Sequence, residues 1–166
     1  MKKYALLVYL FVINSVHVFA QEPCRAPETS QFDFWVGEWN LTYNDTVKAT
    51  NSIARIMNDC VIYEKFNDPS TNFSGTSWSV YNANLKIWQQ TWVDISGGYI
   101  VLTGTFSNNR MVLSTIPSPA KDGGMIQNRM IFYNITPGSF DWNWESTQDE
   151  GKTWKLLWKI HYERKD

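Results

Sequence analysis

The sequence predicts an all-β chain that folds as an antiparallel up-and-down β-barrel of about 8–10 strands, the usual range for such meanders. Three observations carry this. Short runs rich in β-branched and aromatic residues recur along the chain, each closed by Asn, Asp, Gly or Pro. The separations between runs are mostly of hairpin length, which favours neighbours in sequence pairing as neighbours in the sheet. No segment sustains an apolar period of 3.6, so the expected helix content is at most a short turn near Phe34.

The first 20 residues stand apart. Lys2 and Lys3 precede an apolar stretch over residues 4–16, and Val18-Phe19-Ala20 suits a signal peptidase. A signal peptide over residues 1–20 is expected, with export to the periplasm or outside the cell. A membrane anchor is the competing reading, but Asn14, Ser15 and His17 interrupt the apolar run. No lipobox surrounds Cys24, and no later run is long enough to span a bilayer. Residues 21–31, with Pro23 and Pro27, read as an N-terminal arm, and residues 32–166 as one barrel domain.

Ordered structure is expected from Phe32-Asp33-Phe34-Trp35-Val36-Gly37-Glu38-Trp39 onward. Trp39, Leu41 and Tyr43 alternate with polar residues as in a half-buried strand. Runs at 52–57 and 60–66 flank Asn58-Asp59. A run at 76–81 closes at Asn82, and one at 87–95 closes at Ser96-Gly97-Gly98. The run at 99–106 ends at Asn108-Asn109, that at 111–116 in prolines and Gly123-Gly124, and that at 125–135 at Pro137-Gly138. Runs at 140–146 and 154–162 close the chain. On the last, parity puts Trp154, Leu156, Trp158, Ile160 and Tyr162 toward the core, and Lys155, Lys159, His161 and Glu163 toward solvent.

Composition excludes several functions. With 15 basic and 16 acidic residues there is no electrostatic case for nucleic acid or an anionic membrane. Of the two histidines only His161 lies beyond the signal, so neither a multi-histidine zinc site nor a Cys-rich one is available. No Gly-rich phosphate loop occurs, and no cofactor or metal is expected. Cys24 and Cys60 pair in an oxidising compartment or remain two free thiols.

Two motifs have structural readings. Gly37-Glu38-Trp39 at the first strand resembles the Gly-x-Trp signature of lipocalins, in which a late basic residue packs over the Trp. Arg164 stands where that partner is needed. Thr147-Gln148-Asp149-Glu150-Gly151-Lys152-Thr153-Trp154 resembles an Asp-box, and a single copy in so short a chain reads as a hairpin. These segments, with Gln90-Thr91-Trp92-Val93-Asp94-Ile95-Ser96-Gly97-Gly98 and Trp144-Glu145, resemble a family of small secreted bacterial proteins with a lipocalin-like domain of unknown function. The resemblance covers nearly the whole chain after the signal and implies a calycin-type barrel. It implies no catalytic residues.

Nine tryptophans exceed what such a core needs. Trp39, Trp154 and Trp158 read as core. Trp88, Trp92, Trp142 and Trp144 flank polar residues and are candidates for stacking on a ligand, with packing as the alternative. Trp88, Gln90, Trp92 and Asp94 share a face, and if it points inward Gln90 and Asp94 need partners inside the barrel. Arg129 is either a buried cation seeking a carboxylate or a solvated strand arginine. Glu64 and Glu145 form a pair only if both face inward.

Two functions stand close together. One is an enzyme acting on acidic oligosaccharides by elimination next to a uronate carboxylate, a lyase or dehydratase. There Arg129 neutralises the carboxylate, Tyr99, Tyr63 or His161 moves the proton, and Trp88, Gln90, Trp92, Asp94, Trp142, Trp144 and Glu145 bind substrate. The other is a non-catalytic carrier of a small hydrophobic or aromatic ligand. A filled barrel serving as an interaction module ranks below both. The polar residues between Trp88 and Trp92 tip the sequence reading narrowly to the enzyme. Oligomeric state is left open.

Overall fold

The computed structural model describes residues 24–43 and 45–165; the expected signal peptide lies outside them. A 3-10 helix, Pro27–Trp35, leads into strands β1 (Gly37–Tyr43), β2 (Thr46–Ile56), β3 (Val61–Asp68) and β4 (Phe73–Asn82). Then come β5 (Ile87–Asp94), β6 (Tyr99–Ser107), β7 (Arg110–Ser114) and the two-residue β8 (Ser118–Pro119). β9 (Met125–Tyr133), β10 (Ser139–Thr147) and β11 (Lys155–Arg164) complete the chain.

All pairings are antiparallel. Each strand from β1 to β7 pairs with the next, β7 pairs with β9, and β9, β10 and β11 continue the meander until β11 pairs back onto β1. This closes a barrel of ten strands, with β8 a small appendage on β9. Closure leaves no unpaired edge strand among the ten of the barrel. Several turns match their residues: Asn108 and Asn109 both take positive φ, 51° and 55°, as a tight two-residue hairpin requires.

The meander gives the barrel two ends. The helix, the β2–β3 turn and the β6–β7 turn sit at one end, which is closed. Phe32 of the helix packs edge-on against Trp88 at 4.8 Å and Phe132 at 5.5 Å, and Trp35 and Phe32 are fully buried. The Cys24–Cys60 disulfide ties the segment before the helix to the β2–β3 turn. Arg55 on β2 bonds Asp33 and the Thr29 carbonyl, which fixes the helix laterally. Much of the expected arm therefore belongs to the plug of the barrel.

Arg164 completes this end. Its guanidinium lies 4.2 Å over the Trp39 ring and donates to the carbonyls of Val36, Phe34 and Pro137. Gly37 has φ +137°, and a Cβ there would stand 2.1 Å from Arg164 Nη1. Only glycine accepts both constraints. Residues 147–154 form the last hairpin: Asp149 accepts from the Thr153 amide and hydroxyl, Gly151 has φ 85°, and Trp154 Nε1 donates to the Gly151 carbonyl.

Two expectations need correction. β2 begins well before residue 52, and the polar Asn51 on its inner face had concealed the alternation. On β11 the inward set is Trp158, Ile160 and Tyr162, whereas Leu156 is half exposed and Trp154 sits outside the core. The cause is a register shift: Trp144 pairs with Trp158 but Glu145 pairs with Leu156, so Leu157 is an extra residue and parity reverses there.

Candidate functional site

Beyond the aromatic plug the barrel interior opens toward the other end. A cavity of about 210 Å³ lies there, between Trp35 and Phe132 at its base and Phe73 and Asp94 at the mouth. Trp92 comes from β5, Trp142 and Trp144 from β10, and Trp158 from β11. Trp142 and Trp144 are nearly parallel, 6° between planes and 6.3 Å between centroids. Trp158 meets Trp142 edge-on at 5.8 Å, and Phe66 meets both Trp158 and Trp92 at 6.1 Å. The four indoles are only partly buried.

Small residues make this space. Gly75 on β4 faces inward, and a Cβ there would stand 2.2 Å from the Trp92 ring. Ser77 and Ser79 continue the same face of β4 and are fully buried. The indole of Trp92 therefore lies against backbone, and its Nε1 donates to Asp94 Oδ2 at 3.0 Å. Asp94 Oδ1 accepts from the amides of Ser96 and Gly98, capping the β5–β6 turn. Burial raises the Asp94 pKa, but the bonds from Trp92, Gly98 and Ser96 together outweigh it and hold the carboxyl below its ordinary range.

Glu64 on β3 is the other carboxylate of the cavity. It is 7% exposed, accepts from Asn51 Nδ2 at 2.7 Å and from Ser77 Oγ at 2.5 Å, and the described residues lining the cavity with it include no Lys, Arg or His. Burial drives its pKa up, against smaller opposing effects of Ser77 and Asn51. Gln90 extends the network by donating to Ser77 and Ser79 at 3.2 and 2.9 Å. Asn51 also donates to the Tyr162 hydroxyl at 3.2 Å, and burial, followed by the nearby Glu64, holds that phenol well above its usual range. Asn51 Oδ1 and Gln90 Oε1 are buried acceptors without a donor among the described residues.

The sequence-picked residues divide. Trp92, Asp94, Trp142 and Trp144 line the cavity. Trp88 belongs to the plug, its Nε1 bonded to Gln31, and Gln90 stands behind the cavity wall in the polar network. The remainder face outward and do not converge on the cavity. Arg129 pairs with Glu145 at 2.7 Å and stacks on Trp154 at 3.8 Å. His161 bonds Asp141 at 2.9 Å, Tyr63 packs against Trp78 on the outer wall, and Tyr99 is 69% exposed. Glu64 and Glu145 thus lie on opposite sides of the wall and form no pair.

Trp158, Phe66 and Phe73 are site residues that reading by segment passed over, and Glu64 was raised only as a possible partner of Glu145. One signal for Glu64 was present: Ile62, Glu64 and Phe66 share a strand face, so two large apolar neighbours carry the carboxyl inward.

Among the described residues no three His, Cys, Asp or Glu side chains group as metal ligands. The closed ten-strand barrel with an internal aromatic cavity is consistent with a lipocalin- or calycin-like fold. No family model and no curated protein matches the chain.

Proposed function

We propose that this protein is a carrier that holds one small, largely apolar, ring-bearing molecule inside its barrel. The observation that carries this reading is the cavity of about 210 Å³ walled by Trp92, Trp142, Trp144 and Trp158. An engineered apolar cavity of roughly 150 Å³ takes up benzene, whereas drug-sized ligands need about 300–1,000 Å³. One substituted ring or a fused bicycle fits between those limits. Flat indole faces favour offset or edge-on contact with such a ring.

The elimination chemistry considered from the sequence needs a cation beside the substrate carboxylate and a group to move a proton. Arg129, Tyr99, Tyr63 and His161 stand outside the wall, so the cavity offers neither from that set. The disulfide, and the lack of a membrane-crossing helix among the described residues, are compatible with a periplasmic or extracellular carrier.

Titration with indole, followed by calorimetry, tests the proposal. The expected result is saturable binding of one equivalent, weakened about tenfold in Trp144→Ala as an aromatic contact of 1–1.5 kcal/mol is lost. Absence of saturable binding for indole, 1-naphthol and other single- or double-ring compounds would sink it.

A further inference from the structure

On the outside of this barrel Glu145 pairs with Arg129 and Asp33 with Arg55. Glu64 and Asp94 line the cavity, and none of the described residues lining it is Lys, Arg or His. Among the described residues Glu64 is held by the uncharged Ser77 and Asn51. Behind them Asn51 Oδ1 and Gln90 Oε1 are unpartnered acceptors, while the indole N–H of Trp35, which also lines the cavity, is an unpartnered donor.

The remaining wall is aromatic. Trp92, Trp142, Trp144 and Trp158 turn π faces or edges into the space, and an indole face is the best uncharged partner for a cation. An anion here would meet two carboxyl groups and the negative faces of rings. A neutral ligand would gain no charge interaction with either carboxyl group.

Building on the carrier reading, we infer that the occupant carries an amine or quaternary ammonium group, lodged between the indoles and the Glu64 carboxyl. Its apolar remainder fills the rest of the cavity. A fixed positive charge beside Glu64 favours its carboxylate form. The groups facing Glu64 are Asn51 on β2, Ser77 on β4 and, through Asn51, Tyr162 on β11; Tyr162 is the titratable one among them, and its phenol stays protonated.

The test uses three probes of similar size and different charge: phenyltrimethylammonium, tert-butylbenzene and phenylacetate. Binding is measured by calorimetry near pH 7. The cation is expected to bind at least about tenfold more tightly than the neutral probe, as a desolvated cation–π contact of roughly 2 kcal/mol implies, and phenylacetate more weakly than either. Glu64→Gln should cut the cation-to-neutral selectivity about tenfold. Asp94→Asn gives a second reading of selectivity should Glu64→Gln fold poorly. Equal or tighter binding of the neutral probe overturns the charge assignment and leaves the carrier reading intact. Binding of none of the probes overturns both.

Discussion

Trp92 Nε1 donates to Asp94 Oδ2 at 3.0 Å, and this bond fixes an indole across the mouth of the barrel. The two residues are neighbours on one strand face, so the aromatic wall and its polar anchor are encoded together. Asp94→Ala removes the anchor and the turn cap at once. The expected result is ligand affinity lowered about fivefold, on the scale of one hydrogen bond of about 1 kcal/mol, with a faster dissociation rate in stopped-flow fluorescence. Unchanged affinity and dissociation rate would show that the indole needs no anchor.

Gly75 makes room for the same ring. Gly75→Ala puts a methyl group where Trp92 now lies, so the indole must move into the cavity. Overpacking of this kind costs roughly 1–3 kcal/mol. The variant is expected to melt at lower temperature and to lose most of its ligand binding, while Gly138→Ala, at a site with open space around the added carbon, should do neither.

Arg164 bonds three carbonyls that no other described side chain reaches, and it covers Trp39. Arg164→Ala should cost on the order of 2–4 kcal/mol in denaturant unfolding, from the lost cation–π contact and the stranded acceptors. Arg164→Lys should recover only part of it, since an ammonium cannot hold the same fork of bonds.

Asp68 gives the protein an acid dependence. Burial acts to raise its pKa, but bonds from Ser70, Tyr43 and Thr71 prevail and bring it to about 2. Its unfolded value is near 3.9. The folded pKa is the lower, so this contribution is complete above about pH 4 and is lost as pH falls toward about 2. Glu64 acts in the opposite sense, its folded pKa being raised. Comparing Asp68→Asn with the parent protein isolates the first effect: the stability gap should be widest at neutral pH and close by pH 2. A gap that does not change with pH would contradict the assignment.

Much of this barrel was legible in the sequence because turn residues and strand parity are local. Asn108-Asn109 and Ser96-Gly97-Gly98 mark hairpins without knowledge of the fold. The lid of Arg164 on Trp39 was legible because both ends of the motif have fixed chemistry. What parity could not supply was the direction of each face and the place where parity breaks. Leu157 looks like any strand leucine, yet the extra residue there turns Leu156 and Trp154 outward. Arg129 and Glu145 illustrate the other limit. Their pairing across β9 and β10 satisfies both on the outer wall, and nothing within either segment shows that the partner will be there. Glu64 was left open for the reverse reason, since a charged residue among apolar neighbours can face either way until the inner face is known.

The most direct measurement is the shift of tryptophan indole N–H signals in a ¹H–¹⁵N spectrum on adding indole or phenyltrimethylammonium. The nine indoles sample every part of the barrel. Trp92, Trp142, Trp144 and Trp158 line the cavity, while Trp78 and Trp154 stand on the outer wall. Saturable shifts concentrated in the four cavity signals, with Trp78 and Trp154 unmoved, are the predicted result. Shifts confined to Trp78 and Trp154, or none at all, would contradict a ligand inside the barrel.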